Sequence, residues 1–274
     1  MRIHAKIEKQ LKITDLYTAF SAVRTPDYNF CGESHDFWEL LIVNEGDIGS
    51  VINNEVKYFS AGQCVIYEPM EFHSVWVEGD VCAKITVFTF SAENMPELKH
   101  RTFEIDEGAQ KLAEEILCEI NLSFNVQGIS VLDVNSGCEI SAEIAVKRLE
   151  ILLLDTLRKQ IDTDTPVMPK RALALERIIN ILEERIYENL TVEEIAKMAS
   201  ISPSYLQKVF MKYVGMGVMS YFNRMKITYA VLMLQNGMSV AETSERLGFL
   251  SPNYFSTVFK RFNGVSPSVY KKEL

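Results

Sequence analysis

The sequence predicts an α+β chain of several domains, with a β-rich N-terminal part, a helical hairpin and an all-α C-terminal part. Three observations predict it. Short segments rich in branched and aromatic residues fill residues 1–90, with turn-forming residues between them. Two longer segments with apolar residues at helical spacing follow. Near the C-terminus a nine-residue pattern then occurs twice. At 274 residues the chain can form two domains with separate cores.

Six N-terminal segments are typical of β-strands. They are bounded by turn-forming sequences such as Asn44-Glu45-Gly46-Asp47 and Ala61-Gly62-Gln63. The predicted strands are residues 40–43, 49–52, 56–59, 64–67, 74–77 and 83–88. Their even spacing favours a sandwich or a small barrel.

Two helical patterns follow the strands, at residues 107–124 and 141–161. The polar stretch 125–137 between them is expected to close a helical hairpin. Because both helices are strongly apolar on one side, they must cover the barrel, a second subunit, or both.

The repeated C-terminal pattern is residues 202–210, which return as residues 251–259 at an offset of 251 − 202 = 49. Each copy begins Ser-Pro, which combines a good N-cap with a tolerated first helical residue, so each predicts a helix start. The apolar positions, Tyr205 and Tyr254 included, are expected to share one buried face. The outward polar face carries Ser204, Gln207, Lys208 and Lys212 in the first copy, and Asn253, Ser256, Thr257 and Lys260 in the second.

Each copy is preceded by a second short helical pattern and a break in the sequence. Thr191 with Glu194, and Ser239 with Glu242, have the spacing of capping boxes. Each unit is therefore predicted to be a helix, a tight turn and a helix. Ordinary helical hairpins are the alternative, but a tandem pair with polar outer faces favours DNA binding. A connecting helix over residues 218–235 would span ~27 Å and hold the two units about 34 Å apart, one turn of B-DNA.

The net charge supports DNA binding only when the N-terminal and C-terminal parts of the chain are considered separately. The whole chain has net charge −9. Residues 170–274 carry 14 Lys and Arg against 9 Asp and Glu, or +5, whereas residues 1–169 carry 14 against 28, or −14. Attraction to phosphates therefore belongs to the C-terminal part. The expected phosphate contacts, each with a solvated surface charge as its alternative, are Arg224, Lys260, Arg261, Lys271 and Lys272.

These patterns predict four parts along the chain. They are a barrel (1–100), a helical hairpin that pairs two subunits (101–161), a linker with two prolines (162–171) and the tandem helix-turn-helix domain (172–274). We expect no signal peptide and no membrane-spanning segment. The five cysteines are scattered and form no Cys-x-x-Cys pair, which favours reduced thiols in the cytoplasm.

The stretch from about residue 172 to residue 272 resembles the DNA-binding domain of AraC/XylS-type transcription regulators. The matching positions are 195–196, 226–227, Ala230, 233–234, 248–249, 254–255, 258–260, 264–267 and Tyr270. The chain departs from the family at Thr243-Ser244, where an apolar residue and then alanine are usual. We therefore expect looser packing in the second unit.

The N-terminal part is similar to the cupin barrel, a double-stranded β-helix, as it occurs in the effector-sensing half of such regulators. His35, Glu39 and His73 could form a two-histidine, one-carboxylate metal site. Glu33 stands where metal-binding cupins usually have a further histidine, so we expect no metal and no cofactor. A pocket for an organic ligand is the preferred interpretation, and plain core packing is the alternative. The expected ligand-binding residues are His35, Trp38, Glu39, Tyr67, His73 and Trp76.

Together these observations predict a sequence-specific transcription regulator that is not an enzyme. The expected partners are promoter DNA, a small-molecule effector such as a sugar, a second copy of the chain, and RNA polymerase if the protein activates transcription. Gln207 is the best candidate for base readout because a glutamine amide can pair bidentately with adenine. Two alternatives remain at this point: a cupin-type metalloenzyme with a DNA-binding tail, and a regulator without effector whose barrel is structural.

Overall fold

The computed structural model describes residues 10–98, 102–158 and 173–273. The chain forms two compact units, the second of which contains residues 168–274 with the short segments 29–32 and 53–56. Among the described residues, no helix is both long and apolar enough to cross a membrane. The predicted linker, residues 162–171, lies outside the described residues.

The strands of the N-terminal region form two antiparallel sheets. The strands are β1 (Lys12–Arg24), β2 (Asn29–Glu33), β3 (Trp38–Glu45), β4 (Asp47–Ile52), β5 (Glu55–Ser60), β6 (Gln63–Tyr67), β7 (His73–Glu78), β8 (Ala83–Glu93), β9 (Thr102–Glu104), β10 (Phe124–Gln127) and β11 (Ser130–Val134). The larger sheet has the order β10-β11-β1-β8-β3-β6-β9 and the smaller one β2-β7-β4-β5. All six predicted strands are confirmed, within β3 to β8. In the described part of the chain the sheets stay separate, so of the two predicted alternatives the sandwich is formed.

Two helices, α1 (Glu107–Ser123) and α2 (Glu139–Arg158), cover one face of the larger sheet. Leu40, Ile116 and Leu149 belong to the single core that the sheet and both helices share. The helices are also joined by Arg148 of α2, which forms ion pairs with Glu115 at 3.1 Å and with a second glutamate of α1 at 3.2 Å. Of the surfaces that the apolar helices were expected to cover, the β-structure is one.

The segment between the two helices corrects a sequence prediction. Residues 125–137 were expected to be a polar loop, but most of them form the hairpin of β10 and β11, which extends the larger sheet. Gly128 has φ +64° in the turn of this hairpin, and Val131 is buried in the shared core. Alternating apolar residues with a central glycine form such an edge hairpin even when the segment is largely polar. α2 also begins at Glu139, two residues before the predicted start at 141.

Residues 173–273 form seven helices joined by short turns. The helices are α3 (Leu173–Glu184), α4 (Val192–Met198), α5 (Pro203–Tyr213), α6 (Val218–Gln235), α7 (Val240–Arg246), α8 (Pro252–Asn263) and α9 (Pro267–Glu273). Both predicted helix-turn-helix units are confirmed, as α4–α5 and α7–α8. The connecting helix α6 has the predicted bounds.

Candidate functional site

Matching side-chain caps start the first helix of each helix-turn-helix unit. Thr191 Oγ1 accepts a hydrogen bond from the Glu194 N–H at 3.3 Å, and the Glu194 carboxylate accepts one from the Thr191 N–H at 2.8 Å. Ser239 and Glu242 repeat this pair of bonds at 3.2 and 2.9 Å. Both predicted capping boxes are confirmed. They satisfy N–H groups that a helix start leaves without intrahelical partners.

The second helix of each unit also starts in the same way. Ser202 Oγ accepts from the Tyr205 N–H, and Ser251 Oγ accepts from the Tyr254 N–H, each at 3.2 Å. α5 and α8 begin 252 − 203 = 49 residues apart, but α4 and α7 begin 240 − 192 = 48 residues apart. The second turn is therefore one residue longer than the first. Leu250, in that longer turn, is 81% exposed.

α5 and α8 each bury one apolar face and expose the opposite, polar face to solvent. Leu206, Val209 and Phe210 are buried in the first unit, and the equivalent Phe255, Val258 and Phe259 in the second. Tyr205 and Tyr254 correct the prediction of one apolar face, because each is 47% exposed. Each lies at the edge of the buried stripe, with its ring accessible beside the polar face.

The predicted DNA-contacting residues are accessible to different degrees. The exposed ones are Ser204, Lys208, Lys212, Asn253, Thr257, Lys260 and Arg261, and the partly exposed ones are Gln207, Arg224 and Ser256. Ser256, Thr257, Lys260 and Arg261 line one open depression beside the C-terminal half of α8. The Arg224 guanidinium lies 4.7 Å from the centre of the Tyr221 ring. The structure thus brings four of the predicted second-unit residues together on one surface.

Lys226 joins the two helix-turn-helix units from within α6. Its side chain is 3% exposed, and Nζ donates to the backbone carbonyls of Glu188 and Leu247, both at 2.6 Å. The ammonium also lies 4.6 Å from the centre of the Phe222 ring. Burial lowers the pKa of Lys226 to about 8. Glu188 precedes α4 and Leu247 follows α7, so one cation fixes both units relative to α6. Sequence reasoning did not find this role.

The second turn packs tightly against the segment before α4. Gly248 has φ +66°, and a Cβ atom there would lie 2.6 Å from the Tyr187 carbonyl oxygen. Only glycine fits both the conformation and the space. Within α7, Thr243 and Ser244 are 0% and 1% exposed, and Thr243 Oγ1 has no hydrogen-bond partner among the described residues. The Thr243 hydroxyl thus occupies a core position without a hydrogen bond to any described residue.

Four of the predicted ligand-binding residues come together between the two sheets of the N-terminal region. Nε2 of His35 lies 3.5 Å from Glu39 Oε2, and Nε2 of His73 lies 3.8 Å from Glu39 Oε1. The Tyr67 ring stacks on His73 with centroids 4.0 Å apart, and its hydroxyl donates to Ser50 Oγ at 3.1 Å. Since β6 and β4 belong to different sheets, this bond crosses the interior of the sandwich.

The protonation of this cluster is set by burial and by the carboxylates. Burial lowers the pKa of His73 to about 4, with Glu39 opposing and His35 adding to that effect. Burial works against charge on His35 as well, but Glu39 outweighs it, and the pKa of His35 is raised. Burial raises the pKa of Glu33. The cluster therefore holds at least one neutral imidazole at neutral pH, with Glu39 between the two rings.

The two tryptophans correct the prediction of a stacking wall. Side chains alternate between the faces of a strand. Trp38 therefore points away from Glu39, and it packs against the core that contains α1 and α2. Trp76 is three residues from His73 on the regular strand β7, so it lies on the opposite face of that strand, beside Gly49 and Tyr58. Neither ring reaches the His35–Glu39–His73 cluster.

Each of the two sites lies in a part of the chain that matches a known protein family. Residues 16–120 match the family model described as the AraC-like ligand binding domain, and residues 195–273 match one described as a helix-turn-helix domain. The chain belongs to the AraC family of transcription regulators. It is a DNA-binding transcription regulator with an N-terminal ligand-binding domain.

Two relatives match 91% and 55% of this AraC-family chain. It is 23% identical over 253 residues to the HTH-type transcriptional activator RhaR of Salmonella dublin, which covers 91% of this chain and 90% of that protein. It is 30% identical over 153 residues to the uncharacterized HTH-type transcriptional regulator YijO of Escherichia coli K12, covering 55% of this chain and 52% of that one. Among solved structures, fatty-acid-bound ToxT of Vibrio cholerae is 16% identical and covers 95% of this chain and 96% of its own, with a TM-score of 0.36.

Proposed function

We propose that the tandem helix-turn-helix domain, residues 172–274, reads a promoter through the polar faces of α5 and α8. The observation that carries this proposal is that both units repeat the same caps while these faces remain accessible. Gln207 is assigned to base readout in the first half-site. Lys260 and Arg261, at the end of α8, are assigned to phosphates. We expect the two faces to meet successive major grooves, about 34 Å apart.

Two substitutions separate base readout from phosphate contact. Gln207→Ala is expected to relax base preference at one position of the first half-site, as measured by selection from a randomised DNA pool. Lys260→Ala is expected to weaken binding to all sequences alike and to lower the salt slope by about 1. Lys111→Ala, an exposed lysine of α1, is the matched control and should change neither. An unchanged preference profile for Gln207→Ala would remove the assignment of that residue.

We propose that the polar cluster of His35, Glu39, Tyr67 and His73 is the effector site of the ligand-binding domain, residues 1–100. Buried polar groups that converge in an otherwise apolar interior are typical of ligand sites. A ligand there would change promoter affinity only by favouring one arrangement of the protein over another. In this proposal the N-terminal unit binds its ligand without chemical turnover, and the protein is not an enzyme. If none of the candidate ligands changes the affinity for the promoter, the result would favour a regulator whose sandwich is purely structural.

We infer that two protomers pair through α2, within residues 101–161. Its outer face carries four exposed apolar side chains at helical spacing, Ile140, Ile144, Ile151 and Leu154, which are 37–77% exposed. Pairing places two DNA-binding domains on one promoter and raises their effective concentration. Ile151→Glu is expected to shift the sedimentation coefficient from dimer to monomer, whereas Val81→Glu, at another exposed apolar position, should not. Sedimentation as a monomer with and without DNA would end this proposal.

The cellular setting follows from these proposals. A regulator that binds promoter DNA works in the cytoplasm, and if it activates transcription its further partner is RNA polymerase. The segment 162–171 would then act as the linker between the ligand-binding and DNA-binding parts.

A further inference from the structure

The cluster between the sheets has the composition of a metal site. Glu33, His35, Glu39 and His73 each offer a ligand atom, and these atoms all lie within 4.8 Å of one another. They come from three places in the sequence: the end of β2 with the loop after it, β3, and the start of β7. Imidazole nitrogen with carboxylate oxygen is the ligand set that first-row divalent transition metals accept.

Both imidazoles are oriented so that Nε2 is free to ligate. Nδ1 of His35 lies 2.8 Å from the Phe37 carbonyl oxygen, and Nδ1 of His73 lies 3.3 Å from the Glu71 carbonyl oxygen. Since a carbonyl only accepts, Nδ1 carries a proton in each ring, and whenever a ring is neutral its Nε2 presents a lone pair. Metal-binding histidines are usually held in this way by a backbone carbonyl on the other nitrogen.

The two Nε2 atoms meet acceptors instead of donors. Both are buried and lack a hydrogen-bond partner in the described residues, and His73 is only 1% exposed. They face the two Glu39 oxygens at 3.5 and 3.8 Å, beyond ordinary hydrogen-bond length. A proton on Nε2 of His35 would relieve its approach to Glu39, but the lone pair of the buried His73 faces the same carboxylate, which is unfavourable unless a cation or a donor group lies between them.

The separations from Glu39 are close to those around a shared cation, whereas the 4.8 Å that bounds all four ligand atoms exceeds them, so the cluster would contract when a cation binds. Nitrogen and oxygen ligands lie about 2.0–2.2 Å from Zn²⁺, so neighbouring ligands in a tetrahedral site are about 3.3–3.6 Å apart. The His35–Glu39 separation of 3.5 Å falls in that range, and the His73–Glu39 separation of 3.8 Å is slightly longer. Rings packed in parallel hold both imidazoles in place, since Phe37 stacks on His35 at 3.9 Å and Tyr67 on His73 at 4.0 Å.

We propose that His35, Glu39 and His73, with Glu33 as a fourth ligand, bind one first-row divalent transition-metal cation. Glu33, which at the sequence level argued against a metal, supplies a carboxylate at the position of the missing histidine. Mg²⁺ and Ca²⁺ prefer sites made only of oxygen ligands and are not expected to compete. A second part of the proposal rests on the proposed function: the cation is the effector of this domain, or the group that holds it, and its binding changes promoter affinity.

The first experiment measures metal binding alone, without DNA. The full chain is treated with a chelator, and Co²⁺, Zn²⁺ and Mn²⁺ are titrated separately by calorimetry, with the visible spectrum of Co²⁺ as a report of its ligands. We expect one ion per chain. Glu39→Gln is expected to lower affinity at least about 100-fold, and Glu93→Gln, an exposed matched control, to leave it unchanged. No binding of any of the three ions, or equal binding by Glu39→Gln, would overturn the site.

A second variant protects the test against misfolding. If Glu39→Gln loses the circular dichroism spectrum of the wild type, the more exposed Glu33→Gln replaces it. This variant is expected to weaken binding about 10-fold or more and to alter the Co²⁺ spectrum, because one oxygen ligand changes. An unaltered spectrum and affinity would remove Glu33 from the ligand set and reduce the site to three ligands, against the proposal as stated.

The second experiment measures promoter affinity with and without the cation that binds. A change in affinity that Glu39→Gln abolishes supports the effector role. Bound metal with unchanged DNA affinity overturns that role and leaves the metal site standing. Sequence-specific DNA binding without any metal binding overturns the metal site and leaves the proposed regulator intact. The ligand of the cluster would then be an organic molecule with a hydrogen-bond donor group.

Discussion

Replacing Thr243 by valine should stabilise the DNA-binding unit. The Thr243 side chain is 0% exposed, and its hydroxyl has no hydrogen-bond partner within the part of the chain that the structure describes. A buried hydroxyl without a bond costs about 1–3 kcal/mol of desolvation. Valine keeps the shape of threonine and removes that cost, and the helix propensities of the two residues are close. We expect a gain of about 1–2 kcal/mol in the free energy of unfolding.

Hydrogen exchange followed by mass spectrometry reports this gain where it arises. In the full chain, peptides from α7 and α8 should exchange more slowly in Thr243→Val, by about 5- to 30-fold for about 1–2 kcal/mol. Thr243→Ser keeps the hydroxyl and loses a buried methyl group, so it should exchange faster. Thr228→Val, an exposed threonine of α6, is the control for the chemical change and should lie within about 0.5 kcal/mol of the wild type. Exchange in Thr243→Val that is no slower than in the wild type would show that the hydroxyl does not carry an uncompensated cost. Slower exchange in Thr243→Ser would likewise contradict the reasoning.

Three further predictions test other contacts of the described residues. Lys226→Met leaves two buried carbonyl groups without their donor, so urea unfolding should show a loss of about 2–4 kcal/mol, whereas Lys272→Met, at an exposed lysine, should be neutral. Thr191→Ala removes the cap of α4 and should cost about 1 kcal/mol, seen as faster amide exchange in that helix alone. Burial raises the pKa of the Cys64 thiol to about 12, and only the thiolate reacts. Iodoacetamide at pH 8 should therefore label the exposed Cys82 and leave Cys64 unmodified until the protein is unfolded.

The elements that the sequence predicted well are those whose signals are local. The bounds of α4 match because its capping box marks the start, and those of α6 match because its apolar residues recur at helical spacing along the whole segment. β10 and β11 were missed because a polar hairpin at a sheet edge has only one buried residue, Val131, to mark it. The 13-residue strand β1 alternates weakly, and its pairing with β8 is interrupted by bulges that break the period of two.

The candidate effector site could be predicted in part. His35, Glu39 and His73 were found from the cupin resemblance, and the structure brings them together. The tryptophans were misplaced for a reason visible in the sequence: Trp38 neighbours Glu39, and Trp76 is an odd number of residues from His73, so strand alternation sends both elsewhere. Strand parity would have excluded them.

Contacts that depend on packing between helices could not be predicted. Lys226 stands between Met225 and Ile227, and its spacing gives no sign that its ammonium reaches two backbone carbonyls at once. The missing partner of Thr243 is likewise a property of the assembled core. In both cases the deciding atoms are backbone groups distant in sequence.

Alternation along β3 also provides a physical route from the ligand cluster to the proposed dimer surface. Glu39 faces the cluster between the sheets, whereas the next residue, Leu40, packs in the core that contains Leu149 of α2. Any displacement of β3 that accompanies ligand binding at Glu39 therefore acts on the core beneath α2, because close-packed interiors transmit strain. The opposite face of α2 carries the exposed Ile144 and Ile151. A ligand that favours one position of β3 would thus favour one position of α2. A matched pair of variants tests this route: Leu40→Ala should reduce the effect of the bound ligand on promoter affinity, and Leu11→Ala, in the same core but outside β3, should leave it unchanged.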